Sequence, residues 1–251
     1  MPATDWGWLI TPAELKKWIF FESRDIFAVN KPPFVVCHPS KKGPWSSLIG
    51  ACREYYGLSR LHMPSRLDRE TSGVVVFAKN AETATRLQNA IAERRVQKVY
   101  RAILQGEMAE RGVVVVEQPI GRDEDSVYRT RQCVLESGGQ PAHTEFVPLA
   151  TGGGYTLAEV RPLTGRLHQI RVHAAWLGHP VAGDKLYPDA GLMLEFVTAG
   201  FTARLAAALP LPRHALHALS VVFETAAGTE RFEAPMAEDL VEFCRGRIRT
   251  V

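Results

Sequence analysis

The stretch that decides the fold reads Ser65-Arg66-Leu67-Asp68-Arg69-Glu70-Thr71-Ser72-Gly73 and runs directly into Val74-Val75-Val76-Phe77-Ala78. Five apolar residues in succession, three of them β-branched, predict a strand buried on both faces, because a strand with one wet face alternates apolar and polar positions. The polar nonapeptide ahead of it is the loop that feeds this strand, and a loop fastened to a core strand is a rigid mount. Asp68 stands in that loop between Arg66 and Arg69. Neighbouring cations favour the ionised carboxylate, the form that acts as a nucleophile or a base. Thr71 and Ser72 carry hydroxyls that bond local backbone, and Gly73 permits a tight turn. A surface ion pair has the same appearance, so the rest of the chain must decide between the two.

Composition narrows the choice. The chain has 251 residues, of which 46% are apolar, and a formal net charge of +3. Those values suit an ordinary globular protein with one large or two modest domains, and any affinity for nucleic acid must come from clustered Lys and Arg. Cys37, Cys52, Cys133 and Cys244 are scattered without a CxxC pair, which argues against a zinc ribbon and suits a reducing compartment. The N-terminus has no basic start followed by an apolar core, and no run of about 18 apolar residues occurs, so a cytoplasmic protein with no membrane segment is expected.

Thr11-Pro12-Ala13-Glu14 has capping-box spacing with Pro at the first helical position, and Leu15, Trp18 and Ile19 follow on one face, so a short helix is expected there. Trp6 and Trp8 are read as packing residues, with stacking on a base as the other reading. Ile26 to Val29 reads as a strand, the paired Pro32 and Pro33 as a bend, and Phe34 to Cys37 as a second strand. Trp45 to Tyr56 is read as a helix ended by Gly57, and Asn80 as the cap of a helix from Ala81 to about Arg95 that turns Ala84, Leu87, Ile91 and Ala92 inward. Arg94 and Arg95 in its last turn suit the helix dipole and equally a phosphate-binding rim. Lys98 to Leu104 is a strand with Lys98 and Tyr100 on one face. Val113 to Val116 is another strand. Gln118 to Thr144, with Arg122, Arg129 and Arg131, is a long excursion, either a solvated loop or an RNA-contacting arm. Strands at His143 to Leu149 and Tyr155 to Val160 are joined by a Gly152-Gly153-Gly154 turn.

A second informative stretch runs from Arg161 through Thr164-Gly165-Arg166-Leu167-His168-Gln169-Ile170-Arg171-Val172-His173 to Gly178-His179-Pro180 and Gly183-Asp184. A helix is expected from Leu167 to Gly178, with Leu167, Ile170, Arg171 and Ala174 on one face, so that an apolar side chain and a cation are presented together. His168, His173 and Asp184 invite a metal reading, but the two histidines are five apart, not at the i, i+4 spacing of a helical metal site.

The two stretches together resemble the RluA-type pseudouridine synthases. Their loop signature His-Arg-Leu-Asp-x-x-Thr-Ser-Gly is matched by Arg66, Leu67, Asp68, Thr71, Ser72 and Gly73, with Ser65 standing where the family usually has His. Their second signature is matched from Gly165 to Asp184, the Lys-x-Tyr strand by Lys98 and Tyr100, the early Asn-Lys-Pro by Asn30 to Pro32, and the late Leu-His-Ala by Leu216-His217-Ala218. The resemblance implies an α+β pseudouridine synthase fold, with a mixed, mostly antiparallel sheet, flanking helices and a central RNA-binding cleft. It also implies an RNA partner, ribosomal or transfer, a monomer, and an isomerisation that needs no cofactor and no metal. In this reading residues 1–23 are an N-terminal extension with a short helix, 24–251 form the catalytic domain, and no S4-type RNA-binding domain is expected. The RNA grip is expected to come from the core, residues 1–23 and residues 118–144 and 190–213.

By resemblance, Asp68 is the catalytic carboxylate, Arg66 props the space left by a flipped-out base, Tyr100 stacks on the uracil, Ile170 packs against it, and Arg171 pairs with Asp68. Arg94, Arg95, Lys98 and Arg166 are assigned to RNA phosphates. Three other readings fit less well. An aspartyl phosphatase of the haloacid-dehalogenase type needs a second Asp two residues after the nucleophile, and position 70 is Glu. A metal hydrolase built on His168, His173 and Asp184 would be sensitive to chelators. A catalytically silent RNA-binding protein of the same fold would have no need of an intact Asp68, Tyr100 and Arg171 set, and a turnover assay separates it from an enzyme.

Overall fold

The structure is a computed structural model and describes residues 8–38, 42–109 and 112–248; Trp6 lies outside them. In chain order the elements are α1 (Pro12–Trp18), β1 (Ile19–Glu22), β2 (Ile26–Lys31), a 3-10 turn (Pro44–Ser46), α2 (Leu48–Tyr55), β3 (Ser72–Ala78), α3 (Ala81–Ala92), β4 (Val96–Gln105), β5 (Val114–Val116), β6 (Ile120–Arg122) and β7 (Gln132–Val134). They continue with β8 (Thr144–Gly152), β9 (Tyr155–Pro162), α4 (Gln169–Trp176), α5 (Ala190–Ala199), α6 (Ala203–Ala208), β10 (Leu216–Thr225), β11 (Gly228–Glu233) and α7 (Glu238–Arg247). This is a mixed α+β protein with mostly antiparallel strand pairing and flanking helices. The chain divides into two compact units, the first built on Asp5–Lys98 and His217–Ala237, the second on Val99–Leu216 and Glu238–Val251.

In the first unit β3 is the central strand, and every one of its residues is buried. It pairs antiparallel with β2, from Ile26 opposite Ala78 to Lys31 opposite Gly73, and parallel with β10 through His217 opposite Ser72 and Ala218 opposite Gly73. Alternation along the strand sends its side chains into two separate cores. Val75 and Phe77 join Phe27, Val29, Leu15, Leu48 and Cys52 under α1 and α2, where Phe27 and Phe77 stack with ring centroids 4.8 Å apart. Val74, Val76 and Ala78 join Ala84, Leu87 and Ala90 of α3 and Phe223 and Phe232 of the β10–β11 hairpin. The doubly buried strand expected from the sequence is therefore present.

The α1 capping box is also present: the Thr11 hydroxyl accepts from the Glu14 amide at 3.2 Å, and the Glu14 carboxylate accepts from the Thr11 amide at 2.8 Å. Trp8 packs edge-on against Trp18 at 5.9 Å, in keeping with its packing reading. Four local expectations are corrected. Ile19 opens β1 and is not part of α1. Phe34 to Cys37 is not a strand, because the Val36 and Cys37 carbonyls receive the Leu48 and Ile49 amides at the start of α2 (2.8 and 3.2 Å) and Phe34 has φ 71°. The helix read from Trp45 begins only at Leu48, capped by Ser47, whose hydroxyl accepts from the Gly50 amide at 3.3 Å. Finally, α3 stops at Ala92, which is exposed, and Arg94 adopts φ 58°, so Arg94 and Arg95 lie beyond the helix.

The second unit carries the antiparallel ladder β4–β9–β8–β5. Gly153 and Gly154, with φ 60° and 81°, make the two-residue turn between β8 and β9 that positive φ requires. The 118–144 excursion is largely a hairpin, β6 against β7. Its base is seated by Ile120 and Ala142 on Val172, Leu186 and Tyr187. The 190–213 segment contains α5 and α6, which pack through Phe196, Leu205 and Leu209. Arg213 after them is fully buried and gives Nε and Nη2 to Asp239 at the start of α7 (2.7 and 2.9 Å).

Two buried histidines in this unit make its stability depend on pH. Burial, reinforced by the Arg171, Lys185 and Arg213 cations, holds His214 well below its ordinary value, and burial also lowers His173. The unfolded chain takes up protons at both positions near about pH 6.5, whereas the folded chain does so only at lower pH. Stability should therefore be level above pH 7 and fall as the pH drops through 6, by up to about 1.4 kcal/mol per pH unit for each histidine. Urea midpoints at pH 7.5 and 5.5 measure this, and equal midpoints contradict it.

Candidate active site

The Asp68 loop is fixed from three directions. The Asp68 carbonyl accepts from the Thr71 amide at 3.2 Å, which closes a turn. Upstream, Lys31 at the end of β2 is wholly buried, and its Nζ donates to the carbonyls of Pro32, Val35 and Arg69, each at 3.0 Å. A buried ammonium is tolerated where its donors are met, and here it ties the residue after Asp68 to the chain leaving β2. The Arg69 guanidinium lies 5.8 Å from the Phe34 ring centroid, and burial lowers its pKa. Downstream, Ser72 Oγ lies 2.9 Å from His217 Nδ1, both buried. Gly73, at φ 112°, runs so close to β10 that a Cβ would collide with the Ala218 carbonyl. No other residue fits there.

Replacing Lys31 by Met keeps the bulk and strips three carbonyls of a shared donor. At about 1–3 kcal/mol for each group left unsatisfied, the expected loss is at least about 3 kcal/mol, read as a lower urea midpoint at an unchanged slope. A Lys31→Met protein as stable as the parent would show that the ammonium is not what fixes the loop.

Of the other expected residues in the first unit, Arg66 is exposed, Asp68 half-buried, and Arg94 exposed. Arg95 is already engaged: Nε donates to Glu93 at 2.8 Å and Nη1 to the Glu224 carbonyl at 2.7 Å. Lys98 is half-buried, and burial pushes its ammonium below the ordinary value. A desolvated cation of this kind gains when an anion approaches it.

In the second unit Tyr100 lies on β4 opposite Val160. Ile170 and Arg171 are consecutive in α4 and each is 6% exposed. The helix starts at Gln169, later than expected, with His168 as its cap at φ 56°. Leu167 is therefore outside the helix and exposed, a correction to the face proposed for it. Gln169 fixes the turn before the helix. Its Oε1 accepts from the Thr164 hydroxyl and the Arg166 amide (2.7 and 3.0 Å), and its Nε2 donates to the His143 carbonyl and the Thr144 hydroxyl (both 2.9 Å). Arg166 is half-buried and its Nε donates to the Pro141 carbonyl at 3.0 Å.

Sequence reasoning missed the carboxylate that holds Arg171. Asp184, fully buried, accepts from Arg171 Nε at 2.6 Å and Nη2 at 2.9 Å, and from the Leu186 amide at 2.8 Å. Burial alone would push Asp184 up, but the charge and hydrogen bonds of Arg171 outweigh it and leave the carboxyl below its ordinary value. Asp184 was visible in the sequence as the last residue of the second signature and as a metal-ligand candidate, not as the partner of Arg171, and its fork geometry is that of an Arg–carboxylate pair. The histidines named with it are engaged elsewhere: His168 Nδ1 lies 2.7 Å from Tyr187 Oη, and His173 lies 2.8 Å from Thr144 Oγ1 and 2.9 Å from the Gln118 carbonyl. Among the described residues no group of three His, Cys, Asp or Glu is placed to hold a metal, and no helix is long and apolar enough to cross a membrane. Asp68, Arg66, Arg94, Arg95 and Lys98 belong to the first unit, and Tyr100, Arg166, Ile170 and Arg171 to the second.

Comparison with known proteins gives a consistent result. The model of a family described as RNA pseudouridylate synthase matches residues 25–176. The chain is 35% identical over 230 residues to a ribosomal large subunit pseudouridine synthase D of Vibrio vulnificus, covering 89% of this chain and 68% of that one. It is 31% identical over 234 residues to the uncharacterized RNA pseudouridine synthase YjbO of Bacillus subtilis, covering 91% and 75%. Among solved structures, human RNA pseudouridylate synthase domain containing 1 superposes with a TM-score of 0.73 at 28% identity, covering 93% of this chain and 89% of that one.

Proposed function

The chain belongs to the RNA pseudouridylate synthase family and is an RNA pseudouridine synthase, and on that footing we propose that Asp68 is its catalytic carboxylate and ribosomal RNA its substrate. The reaction breaks the N1–C1′ bond of a uridine, turns the base, and joins C1′ to C5; the C5 proton leaves and N1 ends protonated, so no atom is gained or lost and nothing is oxidised. No cofactor is called for. Asp68 serves this chemistry either by covalent attack or by removing a sugar proton to give a glycal.

The observation that carries the assignment is the fixing of the Asp68 loop by Lys31 on one side and by the Ser72–His217 contact on the other. A catalytic group held this firmly loses little entropy on reaching the reacting geometry. The base must first leave its stack, at a cost of a few kcal/mol. Arg66 props the vacated space, Tyr100 stacks on the uracil, Ile170 packs against it, and Arg171 pairs with Asp68 while Asp184 holds its Nε and Nη2. Arg94, Arg95, Lys98 and Arg166 take phosphates, and Arg95 does so by giving up Glu93 or the Glu224 carbonyl. The Vibrio vulnificus relative is named for the large ribosomal subunit, which supports ribosomal RNA as the substrate class. Action in the cytoplasm as a monomer completes the proposal.

Pseudouridine mapping of total RNA from cells lacking this protein, and from the same cells given back either the parent chain or Asp68→Asn, tests it. We expect one or more large-subunit sites to disappear and to return only with the parent. Sites lost from transfer RNA alone would overturn the substrate class, and full restoration by Asp68→Asn would overturn the catalytic assignment.

A further inference from the structure

We infer that Tyr187 is a positioning residue that couples the β6–β7 hairpin to the Arg171 guanidinium, an inference that rests on Arg171 serving the substrate site as proposed above. Tyr187 is 8% exposed and stands three residues beyond Asp184, the carboxylate that grips Arg171. Two guanidinium carbons lie near its ring centroid, Arg171 at 4.9 Å and Arg131 at 5.8 Å. Arg131 immediately precedes β7. It is ion-paired with Asp123 across the hairpin, and its Nε donates to the Leu186 carbonyl at 3.4 Å.

The phenol oxygen makes a second set of connections. It accepts from the Gln132 amide, the first residue of β7, at 3.3 Å and lies 2.7 Å from His168 Nδ1. His168 is the left-handed cap of α4 and has no side-chain bond to the amides it precedes. Such a backbone conformation is held by its surroundings, not by local preference. Ile170 and Arg171 follow two and three residues later. One side chain thus touches the hairpin at Arg131 and Gln132, and the arginine-bearing helix at His168 and Arg171, so a shift of the hairpin reaches Arg171 through the Tyr187 ring and hydroxyl.

Single-turnover conversion of saturating uridine-containing ribosomal RNA, with the RNA Kd measured separately, tests the coupling in Tyr187→Phe, Arg131→Gln and the double variant. Rates are read at a temperature where each is folded by circular dichroism. Tyr187→Phe keeps the ring and loses only the hydroxyl. We expect each single variant to convert about tenfold more slowly with Kd within about twofold of the parent, and the double variant to be no slower than about the worse single one, because both break the same link between the hairpin and Tyr187. Parental rates in the single variants, a loss confined to Kd, or a double variant slowed by about the product of the two would each overturn the coupling. A parent chain that converts no uridine in any RNA would overturn the functional reading as well, a result distinct from an active parent matched by its variants.

Discussion

An Asp68→Asn protein is expected to fold and to bind RNA, yet to form pseudouridine at least about 10⁴-fold more slowly. Asn matches Asp in size and keeps one acceptor oxygen, but it carries no charge and neither attacks a sugar carbon nor removes a proton. The contact by which residue 68 closes its turn is made through its backbone carbonyl, to the Thr71 amide at 3.2 Å. The Lys31 and His217 attachments fall on neighbouring residues. The substitution therefore removes the charge and leaves these attachments of the loop in place. Single-turnover assays on RNA carrying a mapped target site measure the effect, and conversion within tenfold of the parental rate would mean that another group performs the reaction.

A large effect on stability is also expected from Asp184→Ala. The variant leaves a buried guanidinium without the carboxylate that accepts from its Nε and Nη2, and the Leu186 amide without its acceptor. Breaking a buried pair from one side costs about 3–5 kcal/mol, which for a chain of this size lowers the melting midpoint by about 10 °C. Replacing both partners, Arg171→Met with Asp184→Leu, removes the buried charges together and should recover most of that stability, as apolar replacement of buried pairs often does. Turnover should stay lost in the double variant if Arg171 serves the substrate. A double variant that is both stable and active would reduce Arg171 to a structural residue, and an Asp184→Ala midpoint within about 2 °C of the parent would show that the pair is not buried as described.

Much of the first unit could be read from residue order. Val74 to Ala78 have no polar position in their alternation, and only a strand covered on both sides accommodates that. Thr11 and Glu14 announced α1 because their capping box needs nothing beyond four consecutive residues. Phe34 to Cys37 misled for the opposite reason. Their apolar side chains do point inward, Val35 and Cys37 being buried, but what decides strand or coil is where the carbonyls go, and these go to the start of α2. The residues proposed for the site could be named from the sequence, but their partners could not. Asp184 lies thirteen positions from Arg171 with no periodicity linking them. Tyr187 lies nineteen from His168, so neither pairing leaves a trace in a helical or strand pattern. The α5 and α6 helices did have a readable signal: Asp189 and Thr202 are typical caps whose side chains accept from the Gly191 and Leu205 amides (2.8 and 3.2 Å).

The parallel pairing of β3 with β10 joins residues 145 positions apart, Ser72 and His217. During synthesis at about 5–20 residues per second, the strand that carries the Asp68 loop waits on the order of ten seconds or more for its neighbour to leave the ribosome. Val99–Leu216, the intervening segment, is complete first and mostly makes its own strand contacts. A nascent chain halted before residue 217 should therefore leave β3 open to proteases while the later-synthesised ladder already resists them, so the enzyme becomes competent only after β10 has been made.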